Sequence, residues 1–191
     1  SDESDRSFLQ LRPKMAVVTN IDHDHLNNYQ NDYSQLLDAF TLFLNRLPDD
    51  GFAIVNIDDP GVRAIFPQLT CRVLTFGVKT QADYQVKNLS FDAMRSRFDL
   101  MRPGKDSFSI ILNMPGQYNV ENAVPSCILA DVLGIDDNVV ADACCHFPGV
   151  GRRMSHCGTA SISGGEVLLL EDYGHHPRAI KATLTALRHA W

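Results

Sequence analysis

Apolar positions recur along this chain in two rhythms, and the places where one gives way to the other divide it into elements. Over residues 33–47, Leu36, Leu37, Phe40, Phe43, Leu44 and Leu47 return at steps of three and four, with Asp32 in front and Pro48 behind. That spacing, with a capping carboxylate and a terminating proline, predicts an amphipathic helix. Short β-branched runs flank it, Met15-Ala16-Val17-Val18-Thr19 before and Phe52-Ala53-Ile54-Val55-Asn56-Ile57 after. Continuously apolar runs of this kind are expected of buried parallel strands, and the order strand, helix, strand predicts a right-handed crossover. Asp49-Asp50-Gly51 turns into the second strand, and Asp58-Asp59-Pro60 leads from it into a short helix ending near Phe66.

Between residues 73 and 112 the pattern becomes three or four short strands, the last two at 97–102 and 108–112 across Pro103-Gly104-Lys105-Asp106, which predicts a small antiparallel insert. Helical spacing returns at 119–133, closed by Gly134, and at 138–146 behind Asp136 and Asp137. Pro125 is expected to kink the first of these helices or delay its start. Strands at 159–163 and 167–170 flank Gly164-Gly165, and a helix runs from Pro177 to Trp191. The expected division is one domain over 1–155 and the opening of a second α/β domain over 156–191, with 153–158 as the linker.

Composition narrows the function. An apolar share of 45% with 21% charged residues is that of a soluble globular chain, and no apolar run approaches the roughly 20 residues of a membrane span. A net charge of -6 argues against a nucleic-acid surface, although Arg152-Arg153 can still meet a small anion. The five cysteines show no C-x-x-C spacing and are read as reduced thiols of a cytoplasmic protein. Ser1 is read as a cut edge, since neither an initiator Met nor a leader precedes it.

Four polar groupings could carry chemistry. Asp22-His23-Asp24-His25 follows the first strand, where open α/β sheets present functional groups; it is either a divalent-metal loop or a solvated, capping one. Asn119 and Asn122 lie one helical turn apart and could address the donor and acceptor edge of a base, with a plain N-cap as the alternative for Asn119. Gly149, Gly151, Arg152 and Arg153 make a flexible loop ending in two guanidinium groups, suited to phosphate or merely solvated. Asp172 ends an apolar strand and is followed by Tyr173, Gly174, His175, His176 and a helix-opening Pro177. A carboxylate there can hold a ribose, and the histidines can meet phosphate or a carboxylate substrate.

Five segments in order, D-E-S-D-R-S-F at 2–8, T-N-I-D-H-D-H at 19–25, G-Q-Y-N-V-E-N-A at 116–123, F-P-G-V-G-R-R at 147–153 and D-Y-G-H-H-P at 172–177, closely resemble the Mur ligases, especially their alanine-adding branch. The resemblance spans nearly the whole chain. It implies an α/β fold: a central Mur-ligase-type ATP domain, with a mostly parallel sheet, helices and a small antiparallel insert, followed by the first strand-helix unit of a Rossmann-like C-terminal domain. It further implies an ATP- and Mg2+-dependent ligase of peptidoglycan synthesis that joins L-alanine to UDP-N-acetylmuramic acid through an acyl phosphate, with a homo-oligomer as a compatible assembly. Under it, His25 is the magnesium ligand, Asn119 and Asn122 recognise adenine, and Arg153 with Arg152 contacts phosphate. Asp172 contacts ribose, while Tyr173, His175 and His176 stand in the substrate cleft.

Two departures accompany the likeness. Tyr118 stands where the family pattern has His, and the G-x-x-G-K-T/S phosphate loop is not among these 191 residues, nor is the acidic magnesium ligand expected just before Ser1. The expectation is therefore a fragment that does not ligate by itself. The alternatives are the tripeptide-recycling member of the family, and a metal-dependent hydrolase using His23, Asp24 and His25 with His175 and His176.

Overall fold

The computed structural model describes residues 3–92 and 94–190; Asp2 of the first motif and Trp191, the expected end of the last helix, lie outside the described residues. Six strands share one sheet in chain order: β1 (Met15–Val18), β2 (Phe52–Asn56), β3 (Val73–Gly77), β4 (Tyr84–Asp92), β5 (Arg95–Arg102) and β6 (Lys105–Leu112). The first four run parallel, with Met15 beside Phe52, Ala53 beside Val73 and Phe76 beside Tyr84. Only Pro103 and Gly104 separate β5 from β6, too few for a crossover, so this pair is the antiparallel hairpin the turn chemistry anticipates. The chain forms two compact units, one holding the residues up to Val86 with Met101–Asp106, the other holding Lys87–Leu100 and the residues from Ser107 on.

In the first unit, α1 (Tyr33–Leu44) forms for the reasons its sequence states. Asp32 accepts the Ser34 N–H at 2.9 Å, and Leu36, Ala39, Phe43 and Leu44 turn inward. The helix stops three residues short of the predicted end, at Asn45, whose N–H still donates to the Thr41 carbonyl while its side chain donates to the Gln68 carbonyl and accepts the Thr70 N–H. β2 is buried along its whole length, its four apolar residues and the terminal Asn56 alike. β1 is not. It is the edge of the sheet, Ala16 and Val18 face the core, and Met15 and Val17 are exposed, which corrects the expectation of a fully buried strand.

Past β3, the turn at residues 78–80 has its N–H groups held by Asp58, while Gln85 Nε2 donates to the Val78 carbonyl at 3.1 Å. Asp58 accepts the N–H groups of Val78, Lys79 and Thr80 at 2.6–2.9 Å. Burial alone would raise its pKa, but these bonds from Lys79, Thr80 and Val78 outweigh it and keep the carboxyl below its ordinary value. A depressed folded pKa stabilises above the unfolded value of about 4 and loses that contribution as pH falls through the lower folded value. We therefore expect urea stability to drop as the solution is acidified below about pH 4. The Asp58→Asn variant should show a flatter profile in that window, and an unchanged slope would remove Asp58 from the acid response.

The second unit adds α3 (Gln117–Val132), α4 (Asp137–Cys145), the antiparallel hairpin of β7 (Ser155–Ile162) and β8 (Gly165–Glu171), and α5 (Pro177–Ala190). Its core includes Phe98, Leu100, Ile110, Val120, Val124 and Ile128. α3 begins at Gln117 and continues through the buried Pro125, so the proline neither ends nor delays it. The stretch expected as linker is largely strand: Ser155 pairs with Glu171 and His156 with Leu170.

Candidate functional site

The loop after β1 is fixed at its root, Ile21, by two other elements of the first unit. α2 (Pro60–Ile65) opens with Asp59, a 4% exposed residue whose Oδ1 accepts both the Val62 N–H at 3.0 Å, as an N-cap, and the Ile21 N–H at 3.1 Å. From α1, the Tyr33 hydroxyl donates to the Ile21 carbonyl at 2.8 Å. Gly61 permits the closeness, since a Cβ there would stand 2.5 Å from both the Ile21 oxygen and the Tyr33 hydroxyl. Both backbone groups of one buried residue are thus held by side chains, and the loop starts from a rigid point.

Beyond that root the two imidazoles part. His23 stacks on the Tyr33 ring at 3.6 Å between centroids, whereas His25, in the left-handed backbone region, sets Nδ1 2.9 Å from Glu3 Oε1. A carboxylate on Nδ1 orients the ring so that Nε2 becomes the metal-facing nitrogen, the arrangement in which a single histidine serves a cation. Among the described residues no three His, Cys, Asp or Glu side chains converge as a metal-binding group. That leaves the hydrolase alternative without a ligand set there. A magnesium ion that keeps waters and phosphate oxygens as ligands fits one histidine with nearby carboxylates.

In the second unit, a cavity of about 420 Å3 opens between α3, α4 and the loop after α4. Leu112, Met114, Phe147 and Val150 give it apolar walls, and Asn119, Asn122 and Arg153 give it polar corners. Its volume and this mixture are those of small-molecule sites. The floor is built by hydrogen bonds: Asn119 Nδ2 donates to the Pro115 carbonyl at 2.6 Å, and the fully buried Ser96 hydroxyl donates to the Met114 carbonyl at 2.7 Å. Asn119 therefore secures the turn at the start of α3 while bordering the cavity.

Arg152 and Arg153, adjacent in sequence, do different things. Arg153 borders the cavity, while Arg152 sets Nε 3.2 Å from Glu171 Oε1 and lays its guanidinium 4.6 Å from the centre of the Tyr173 ring. Asp172 also has a structural task, its two oxygens accepting the Met154 N–H at 3.1 Å and the Gly174 N–H at 2.7 Å. It thereby ties the arginine loop to the end of β8. Tyr173 is exposed and meets His175 edge-on at 5.4 Å, and His176 precedes α5, accepting the Ile180 N–H on its carbonyl.

Tyr118 does not border the cavity. Its phenol oxygen is buried without a hydrogen-bond partner, Asn119 and Thr183 standing near it but outside bonding geometry. Burial pushes its pKa up, against the smaller opposing influence of Asn119, Thr183 and Arg153. Sequence reasoning did not single out Asp59, Tyr33, Gly61 or Ser96. The Asp-Pro step before a short helix signals a cap, but nothing local signals that the same oxygen reaches Ile21.

The chain is an α/β protein with a mostly parallel sheet, and its second unit holds a cavity with amide and guanidinium corners beside the start of α3. The chain belongs to the Mur ligase family: residues 2–130 match the Mur ligase middle domain. Members of that family are ATP-dependent amide-bond ligases. The structure is similar to UDP-N-acetylmuramate-alanine ligase MurC from Thermotoga maritima, with a TM-score of 0.81 and 28% identity, covering 99% of this chain and 41% of that one. MurF from Acinetobacter baumannii shares the fold at a TM-score of 0.77 and 19% identity, over 97% of this chain and 40% of that one. A murein peptide ligase from Psychrobacter arcticus does so at 0.68 and 22%, over 95% and 36%. The chain thus spans about two fifths of the length of the solved proteins it matches.

Proposed function

We propose that this chain is the central part of a cytoplasmic ATP- and Mg2+-dependent ligase that joins L-alanine to UDP-N-acetylmuramic acid in peptidoglycan-precursor synthesis. The observation that carries the nucleotide half of this reading is the meeting of Asn119, Asn122 and Arg153 on one cavity. Amides one turn apart can pair with the donor and acceptor edge of adenine, and a fixed guanidinium suits a phosphate. When bound, ATP supplies the phosphoryl group that activates the muramoyl carboxylate, and Mg2+ offsets the charge on the phosphates. In this reading His25 holds the cation, with Glu3 orienting its ring. Asp172 and Arg152 keep the arginine loop in place, Asp172 meeting the ribose as well, and Tyr173, His175 and His176 receive the acid substrate.

Residues 156–191 open the C-terminal ligase domain in this proposal, and 1–155 belong to the central one. Two observations support the division. β7 and β8 form a sheet of their own, and consecutive residues Val167, Leu168 and Leu169, which point to opposite faces of β8, are all exposed. Strands apolar on both faces belong to sheets covered on both sides.

The full-length enzyme is expected to release phosphate only with both the UDP-sugar acid and L-alanine present. Release without alanine would count against alanine ligation, and a preference for the tripeptide acceptor would assign the recycling reaction instead. Arg153→Ala in that enzyme should raise the ATP requirement about tenfold to a hundredfold, the effect of losing one charge-assisted contact. Titration calorimetry showing unaltered ATP affinity would remove Arg153 from the site.

A further inference from the structure

Phe147 stands on the cavity with its ring 39% exposed, although a phenyl group is among the side chains that gain most from burial. Among the described residues that ring pairs with no other ring and no guanidinium. Its backbone, by contrast, is held on both sides. The Phe147 N–H donates to the Cys144 carbonyl at 3.4 Å, and the Phe147 carbonyl accepts Asn113 Nδ2 at 3.3 Å. The Asn113 N–H reaches the same Cys144 carbonyl at 3.2 Å. Asn113 lies between Leu112 and Met114, the buried apolar wall of the cavity, so a single residue fixes Phe147 to that wall. Pro148 narrows the backbone further, because a proline disfavours the helical region for the residue before it. Val150, also on the cavity, differs: it is 53% exposed between Gly149 and Gly151, both with open space around them. The phenyl ring alone is thus presented to the cavity from a fixed backbone.

We propose that Phe147 is the stacking platform of this cavity: its ring covers one face of a planar heteroaromatic ring whose edge the Asn119 and Asn122 amides address. Such a ligand is polar at its edge and apolar on its faces, and the cavity offers both kinds of group. Aromatic rings prefer offset-stacked or edge-to-face contact, and a phenyl group on a held backbone meets a ligand ring without first being ordered. The proposal rests on the nucleotide reading above and adds the residue that selects an aromatic base over an aliphatic group of similar size. Arg153 serves phosphate in that reading, so the two contributions separate: Phe147 acts on the base, whatever is attached to it.

Calorimetry of the full-length enzyme with ATP and with adenosine tests it. Phe147→Ala is expected to weaken both by the same factor, roughly fivefold to a hundredfold, the range of one lost base–aromatic stack. Arg153→Ala should weaken ATP and leave adenosine as it was. Phe147→Tyr keeps a ring and should retain affinity, whereas Phe147→Leu keeps apolar bulk without a ring and should not. Ligand proton spectra supply a signature that a merely structural role would not move. Adenosine H2 and H8 should shift upfield on binding the wild type, through the ring current of the stacked phenyl group, and lose that shift with Phe147→Leu. The wild-type shift decides without any variant, and its absence overturns the proposal. If ATP binds and responds to Arg153→Ala while Phe147→Ala changes neither affinity, or if leucine serves as well as phenylalanine, stacking is overturned and the nucleotide reading stands. If the wild type binds neither ATP nor adenosine, the nucleotide reading fails and this proposal fails with it.

Discussion

Asp59→Ala is expected to lower the unfolding free energy by about 2–4 kcal/mol, the sum of a lost N-cap, near 1 kcal/mol, and a buried N–H left without an acceptor, about 1–3 kcal/mol. Both losses fall on one oxygen, because Asp59 Oδ1 receives the Val62 and Ile21 N–H groups together. Alanine can replace neither bond, and the site is too enclosed for water to enter freely. Asp59→Asn keeps an oxygen in place and should cost less than half as much. Urea melts give the free energies, and amide exchange locates the damage. The Ile21 and Val62 amides should lose protection more than any others in the first unit. A change within about 0.5 kcal/mol, the range of ordinary surface substitutions, would mean that the Ile21 anchor contributes nothing measurable.

The second large effect is expected at Gly116. Its φ of +93° and ψ of 143° lie in a region that residues with a side chain rarely occupy, and an added Cβ would stand 2.5 Å from the Ala186 Cβ and 3.1 Å from the Tyr118 ring. Ala186 is 2% exposed, the one buried residue of α5 among those described. Gly116→Ala therefore combines backbone strain, about 1–3 kcal/mol, with overpacking of similar size. We expect a loss of roughly 2–5 kcal/mol, with α5 displaced from α3. The Ala186→Gly exchange on the Gly116→Ala background separates the two causes: it should recover the packing share and leave the strain. A double-mutant cycle showing no coupling between these positions would refute direct contact as the source.

These positions show what a sequence read in isolation can and cannot yield. The caps at Asp32 and Asp136, the apolar stripe of α1, the buried run of β2 and the hairpin around Pro103-Gly104 were legible because each depends on neighbours within a few residues. β1 was misjudged as fully buried because composition says a strand is apolar but not that it lies at the sheet edge. The helix around Pro125 was legible from its spacing, but the delayed start that the proline suggested does not occur, since α3 begins at Gln117. At the candidate site, Asn119, Asn122 and Arg153 were named in advance and do meet on one cavity. The divergence of Arg152 from Arg153, and the commitment of Asp172 to backbone N–H groups, depend on where β8 ends beside the arginine loop.

The return of Met101–Asp106 to the first unit carries a practical consequence for dissection. The chain crosses the boundary between its units three times, after Val86, after Leu100 and after Asp106, so no single cut yields either unit with all of its residues. Isolating the second unit would instead require a cut before Lys87 together with a designed turn closing Leu100 onto Ser107.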